Sequence, residues 1–515
     1  MSAKSVAQSA MILTAAGLIT RVLGFVYRIY LSNAIGAQGM GLYQLIMPVY
    51  SLAWSVSCAG FTTAISKLTA AQRAQGGYGN IWRIIRICVL ISTVIAVSLS
   101  YVLYFFASEA ALFFFKDERV ILPLKVLALC FPAMAAGSCL RGFFYGMRES
   151  VVPAINQVLE QSVRMAVIFF IAQYFIPHGL TYACAACVIG IVAEEIFSFL
   201  FVFASFRKFK RINQHKQKPS LSYKNALKLI LAICLPLAGN RISGSLLGAL
   251  ENTLMPQRLA IFSGSGADAM ASFGKLSGMA MPLIFFPSAF LTSLSVSLLP
   301  VISEAHATNN TKRINRTVSK TILFTAVVGI GAAGLFTVFS NEMGSAVYKQ
   351  DIGHYLRILG VMCPFLYIQM TISGILNGLG FQVFIFRNSL LSSIITILFV
   401  YFYVPVKGVD GFLLGWFVSL LITCALDLHK LKKNVEIAIN FSDLIIKPLL
   451  ASFLASLAAR LLAVHFLFAR FGQLPGLIIA IAVICALYVG LIVATGCVMP
   501  EDIRFIFPAK KQKRA

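Results

Sequence analysis

A chain of 515 residues with 59% hydrophobic and only 12% charged side chains holds about half the charge of an average soluble domain, in which roughly a quarter of residues are charged; no water-soluble fold hides that much apolar surface, which excludes a soluble enzyme. Lys and Arg total 43 against 18 Asp and Glu, a formal net charge of +25. The basic residues stand in short clusters between apolar stretches, where they set topology and meet anionic lipid headgroups, so the expected partners are membrane lipids and no nucleic acid.

A membrane span needs about 20 mostly apolar residues. About fourteen segments qualify by that length rule, at 10–34, 43–68, 84–107, 120–146, 153–176, 180–205, 225–250, 272–301, 318–340, 354–379, 383–404, 409–429, 443–468 and 475–498. Most Lys and Arg fall on the termini and every second loop, among them Arg207, Lys208, Lys210, Arg211, Lys216 and Lys218, then Lys430, Lys432 and Lys433. Both termini are therefore expected on the cytoplasmic side, and the tail Lys510, Lys511, Lys513, Arg514 reads as an anchor on anionic lipid. The segment after Met1 runs past Arg21 and Arg28 without a short apolar core and cleavage site, so the first helix is expected to stay. The eleven cysteines lie mainly in apolar runs without metal-ligand spacing and read as small packing residues, with no metal and no cofactor expected.

The chain repeats itself. At one constant shift 127–159 aligns without gaps to 359–391, matching Leu127 with Leu359, Pro132 with Pro364, Gly142 with Gly374, Gly146 with Gly378 and Asn156 with Asn388. The expected fold class is therefore an all-α polytopic membrane protein with two parallel six-helix repeats and two C-terminal helices. Residues 1–206 form an N-terminal lobe, 207–224 a basic cytoplasmic linker, 225–429 a C-terminal lobe, and 430–515 two extra helices with a basic cytoplasmic tail. Parallel repeats of this kind enclose a site and alternate its access by rocking.

Charges within spans are costly, about 2.5–3.5 kcal/mol each on insertion scales, so each asks for a partner or a watery cavity. Arg21 and Arg28 lie two turns apart on one face of the first helix. Two cations on one face suggest an anionic substrate, although Arg28 could instead snorkel to the outer interface. Glu160 and Arg164, at i,i+4 on the fifth helix, are expected to pair within the helix as a structural or coupling ion pair. Arg241 lies in Gly239-Asn-Arg-Ile-Ser-Gly-Ser, a small-residue context suited to close helix approach or a broken helix. Lys275 opens the eighth helix, and Glu194 and Glu195 are expected near the cytoplasmic end of the sixth, paired with Arg207 or Lys208.

Thr20-Arg-Val-Leu-Gly-Phe25 followed by Ile35-Gly-Ala-Gln-Gly-Met-Gly-Leu-Tyr-Gln44, with Glu251-Asn-Thr-Leu-Met-Pro-Gln-Arg-Leu259 and Leu298-Leu-Pro-Val-Ile-Ser-Glu-Ala305, resembles the stage V sporulation protein B family. That family lies in the polysaccharide-transporter and lipid-flippase branch of the multidrug/oligosaccharidyl-lipid/polysaccharide exporter superfamily. The resemblance implies fourteen helices, two lobes around a cavity, the last two helices at the side, and movement of polyprenyl-diphosphate-linked sugars across a bacterial cytoplasmic membrane in wall or spore-cortex assembly. It also implies that cations of the first and eighth helices, here Arg21, Arg28 and Lys275, bind the diphosphate; Arg241 joins them as a substrate-binding candidate on its position. No acid or arginine occupies Trp54 to Ala59, and Ser277 to Met279 lack the acid that related peptidoglycan-precursor flippases carry there.

Three functions are weighed. The first is a flippase for an anionic lipid-linked saccharide, not an enzyme; no Gly-rich loop ending in Lys-Ser/Thr occurs for nucleotide hydrolysis. A cation-coupled multidrug exporter is the alternative, and would favour acidic cavity residues. A membrane-embedded glycosyltransferase or ligase would need acids or bases at an outer site, for which only Phe114 to Arg119 and Ser263 to Asp268 offer candidates.

Overall fold

In a computed structural model, the structure describes residues 3–212, 219–288, 291, 302, 308, 310–437 and 439–497, with side chains from residue 12 onward. Lys216 and Lys218 of the linker, most of the 298–305 motif and the basic tail at 510–514 lie outside the described residues. The described chain is helical: α1 Ala3–Ser57, α2 Ala59–Ala74, α3 Tyr78–Phe105, α4 Ile121–Ala128, α5 Phe131–Gly146, α6 Val151–Phe175, α7 Leu180–Ile212, α8 Tyr223–Ser263, α9 Gly266–Phe273, α10 Thr311–Val338, α11 Gly353–Gly378, α12 Gln382–Phe402, α13 Val409–Asn434, α14 Lys447–Leu462 and α15 Gln473–Ala494. A bilayer leaves no water for the backbone, so helices that satisfy their own N–H and C=O groups are the form such a sequence must take.

Among the described residues, twelve helices are long and apolar enough to cross a membrane, or up to 13 with the bent pair Glu118–Ala128 and Phe131–Gly146 counted as one span. Fewer are found than the expected fourteen because Ile12–Ala74 runs as one candidate, although Gly36, at φ 70° and ψ −175°, kinks it. Only glycine takes that backbone without strain. The bent pair turns through 46° ahead of Pro132, which starts α5; its counterpart Pro364 sits inside an unbroken α11.

The internal repeat extends to the backbone. In the first half a 28-residue helix, α3, leads to the four-residue helix Ala107–Ala110, the π-turn Ala111–Phe115 and Lys116 at φ 53°. In the second, the 28-residue α10 leads to Ser340–Met343, the π-turn Gly344–Tyr348 and Lys349 at φ 53°. The two share Phe106 with Phe339, Glu109 with Glu342 and Lys116 with Lys349, while most other residues between them differ.

The chain divides into two compact units, residues 1–274 and 275–515. In the first, α3, α5 and α7 close a core around Phe143, Phe144, Ile84 and Val202, to which α8 adds Ile230 and Cys234. In the second, Ile322 of α10, Ile372 and Leu376 of α11 and Leu431 of α13 are buried together. The last two helices lie against α10: Ser452 donates to the Ile330 carbonyl at 3.1 Å and Tyr488 to that of Val327 at 2.7 Å. Arg460, a charge within a span, is neutralised there by Glu342. All the cysteines are unbridged, and all but Cys485 are buried.

The motif Ile35 to Gln44 is a helix crossing. A Cβ on Gly274 would lie 2.0 Å from the Ala37 carbonyl oxygen, and one on Gly41 would lie 2.2 Å from that of Met270. In lipid, where apolar faces gain nothing by leaving water, such small-residue contacts supply helix association. We expect Gly274→Ala to lower stability by roughly 1–3 kcal/mol through overpacking, read as a fall in melting temperature of the detergent-extracted protein. Gly239→Ala, whose Cβ meets nothing within 4 Å, should leave it unchanged.

Candidate functional site

The first unit gathers five charged side chains on three successive helices. On α6, Asn156, Glu160 and Arg164 recur every fourth residue and so share a face. On α7, Glu194 and Ser198 share a face, while Glu195 is turned by about 100° towards another neighbour. Small residues of α5, Ala135, Ala136, Gly137 and Ser138, are all buried and let that helix approach, so that Arg141 near its end reaches the same place.

The contacts follow from that arrangement. Arg141 Nη1 donates to Glu160 Oε1 at 2.6 Å and to Ser198 Oγ at 2.7 Å. Asn156 Nδ2 bridges the same two acceptors at 2.8 and 3.0 Å. Ser198 in turn donates to Glu160 Oε1 at 2.5 Å. One turn along, Arg164 pairs with Glu194, and the Tyr50 hydroxyl of α1 donates to Glu195 Oε1. Glu194 and Glu195 are 3% and 6% exposed, which makes pairing obligatory.

This corrects two expectations. Glu160 and Arg164 do not pair with each other: each is taken by a neighbouring helix, because an intrahelical pair would leave Arg141 and Glu194 as uncompensated buried charges. Glu194 and Glu195 are not drawn to Arg207 or Lys208 at the helix end, for the same reason. Arg141 was missed as a site residue because it stands close to the end of its expected span. The signal was present in the repeat, whose register sets Arg141 against Ser373.

The second unit builds the corresponding place almost without charge. Asn388, matched with Asn156, donates to Asp427 Oδ1 at 2.6 Å, and Ser373 donates to Asp427 Oδ2 at 3.1 Å. Ser392, matched with Glu160, bonds to Ser419 at 2.7 Å. In each unit an asparagine thus ties its own helix to one neighbour, and the third helix joins through Arg141 in one and Ser373 in the other.

The expected substrate-binding cations are distributed differently. Arg21 is exposed and Arg28 half-buried, both before the Gly36 kink in α1. Arg241 lies 18 residues into α8, about 27 Å from its start. Its guanidinium is 5.2 Å from the Trp54 ring centroid of α1, and Ser245 one turn on bonds to Ser55 at 2.6 Å. The helix is not broken there, and its approach to α1 is made by Ser245, while a Cβ on Gly239 or Gly244 meets nothing within 4 Å; α8 keeps an open face beside Arg241. Lys275 belongs to the second unit, half-buried in the π-helical stretch Gly274–Ala280.

Comparison with known proteins fits this helical frame. The family described as polysaccharide biosynthesis protein matches residues 6–306. The chain belongs to that family. A second profile, MatE, matches residues 249–402. Stage V sporulation protein B of Bacillus subtilis (strain 168) is 28% identical over 448 residues, 86% of each chain. Lipid II flippase MurJ of the same organism is 23% identical over 80% of each. Among solved structures, lipid II flippase MurJ in an inward closed conformation superposes with a TM-score of 0.66 at 16% identity, covering 93% of this chain and 98% of that one. The resemblance carried by 20–25 and 35–44 therefore holds.

The ion pairs are testable separately. Glu194→Gln strands Arg164 and should cost about 3–5 kcal/mol, seen as lost membrane abundance and a lower melting temperature. Adding Arg164→Gln should recover much of that loss. Combining Arg164→Gln with Glu160→Gln should not, because it strands Arg141 and Glu194 together.

Proposed function

We propose that the protein is a flippase that moves a polyprenyl-diphosphate-linked saccharide, a cell-wall or polysaccharide intermediate, across the cytoplasmic membrane of a bacterium by alternating access. The observation that carries this is the charge of the first helices: no Asp or Glu precedes Glu109, while α1 presents Arg21 and Arg28 on one face. A diphosphate is the kind of ligand such a face attracts, and arginine forks match its oxygens. Arg241 and Lys275 add to the same attraction. Relatives that include a lipid II flippase support this substrate class.

In this reading both termini are cytoplasmic, the basic clusters at 207–211 and 430–433 rest on anionic lipid, and the two repeats, with α8 packed on the first, are the moving parts. The ion pairs of α5, α6 and α7 hold one repeat together as it moves, and the helices 430–515 complete the protein at the side. The MatE match favours a second reading, a cation-coupled multidrug exporter. A cationic drug would meet two arginines and no acid on α1, which is the wrong sign.

Reconstitution into liposomes with polyprenyl-diphosphate saccharides and a leaflet-accessibility readout tests the function. Arg21→Ala should slow flipping by roughly ten- to a hundredfold, the worth of a charge-assisted hydrogen bond of about 1.5–3 kcal/mol, with membrane abundance unchanged. Wild-type rates in that variant, or transport of cationic drugs in place of the lipid, would refute the assignment.

A further inference from the structure

The two segments singled out as the only outer candidates for chemistry, Phe114 to Arg119 and Ser263 to Asp268, fold against each other. Between the turn after α3 and the α8–α9 connection lies a cavity of about 630 Å³, within the roughly 300–1,000 Å³ of small-molecule sites. Its polar wall is Lys116, Asp117, Glu118, Arg119, Gln257 and Arg258.

The wall is built, not incidental. Asp117 holds the Arg119 guanidinium through three bonds, Nη2 to Oδ2 at 2.6 Å and Nε to Oδ1 at 2.9 Å and to Oδ2 at 3.2 Å, and takes the Arg119 backbone N–H at 3.0 Å. Gln257 Nε2 donates to the Phe114 carbonyl at 2.6 Å, strapping α8 to the turn. Immediately before the cavity, Leu112, Phe113 and Phe114 are 54%, 78% and 60% exposed, an apolar shelf suited to the bilayer boundary. The second half makes the same turn around Lys349, which matches Lys116, with other residues beside it. Ala346 and Val347 stand where Phe113 and Phe114 do, and Gln350 and Ile352 stand where Asp117 and Arg119 do. The backbone therefore needs neither the shelf nor the ion pair.

We propose that this cavity is a saccharide-binding site that holds the sugar headgroup of the lipid-linked substrate on the outer side of the membrane; the proposal rests on the flippase reading above. Three cations and two acids set close together favour a ligand that both donates and accepts hydrogen bonds over a bare anion. Sugar hydroxyls do both. The shelf lets the lipid tail stay in the bilayer while the headgroup is held.

The test uses the full chain in lipid nanodiscs with a benzophenone amino acid replacing Ala267 at the cavity's rim. Three probes are compared: undecaprenyl diphosphate, the same lipid bearing a disaccharide, and the free disaccharide. Photocapture of the disaccharide lipid should exceed that of the sugar-free lipid about tenfold, and Glu118→Gln or Gln257→Ala should each lower it by about the same factor. The double variant Asp117→Gln/Arg119→Ile copies residues with which the second half makes this turn, so it should fold and lose capture. Equal capture of the sugar-free lipid overturns saccharide recognition, and capture retained in the double variant overturns the assigned wall. Free disaccharide captured as strongly as the lipid-linked form overturns the headgroup as its source. Flipping measured on the same preparation separates the two readings: transport without capture at residue 267 sinks this site and leaves the flippase standing.

Discussion

The mutual neutralisation of Arg141, Glu160, Arg164 and Glu194 is the constraint around which the first unit is organised. A charge in the apolar interior of a membrane protein must find its opposite there, because the bilayer offers no solvent and the penalty of a stranded charge exceeds the gain from any single packing contact. The four charges lie on α5, α6 and α7, so pairing them fixes the rotation of all three helices. Asn156 and Ser198 complete the arrangement by bridging the same carboxylate, and Tyr50 ties Glu195 to α1. Buried ion pairs of this kind contribute little net stability compared with an apolar core; what they supply is specificity, since a helix turned by one residue would strand a charge.

Packing elsewhere uses the opposite means. Where α1 crosses α9, backbone meets backbone at Gly41 and Gly274 with no room for a side chain. Along α8, by contrast, the glycines near Arg241 touch nothing. Small residues thus serve two purposes in one chain: they join helices at the crossing, and they keep an open face beside a cation on α8. A diphosphate can approach a guanidinium only where the surrounding side chains leave space, so the second use matters to the proposed function as much as the first does to the fold.

The two halves share a backbone and differ in chemistry. The same π-turn and left-handed lysine end α3 and, after α10, recur at Lys349, and the matched asparagine ties its helix to a neighbour in each unit. Against that common frame, the ion pairs of α5 to α7 and the polar wall after Lys116 are additions to one half. Features the topology does not require are the natural places to seek function, and the proposed saccharide site rests on one of them.

Membrane class, helical fold and the internal repeat were legible in the sequence, because apolar runs of span length and recurring Pro, Gly and Asn positions depend on local chain properties and on the bilayer as solvent. The charged candidates Arg21, Arg28, Arg241 and Lys275 were visible for the same reason, since a charge in an apolar run needs no structure to be noticed. Partner choice was not visible. Glu160 and Arg164 satisfy the i,i+4 rule, yet each pairs across helices, because the balance is decided by Arg141 and Glu194, which lie near in space and far in sequence. In the same way the repeat assigns α8 to the second half, whereas packing at Gly60, Trp54 and Ser55 sets it in the first unit. Sequence determined what each helix is and which charges must be answered; only the tertiary structure decided which neighbour answers them, because electrostatic neutralisation and close packing act through distance in space, whatever the order of the chain.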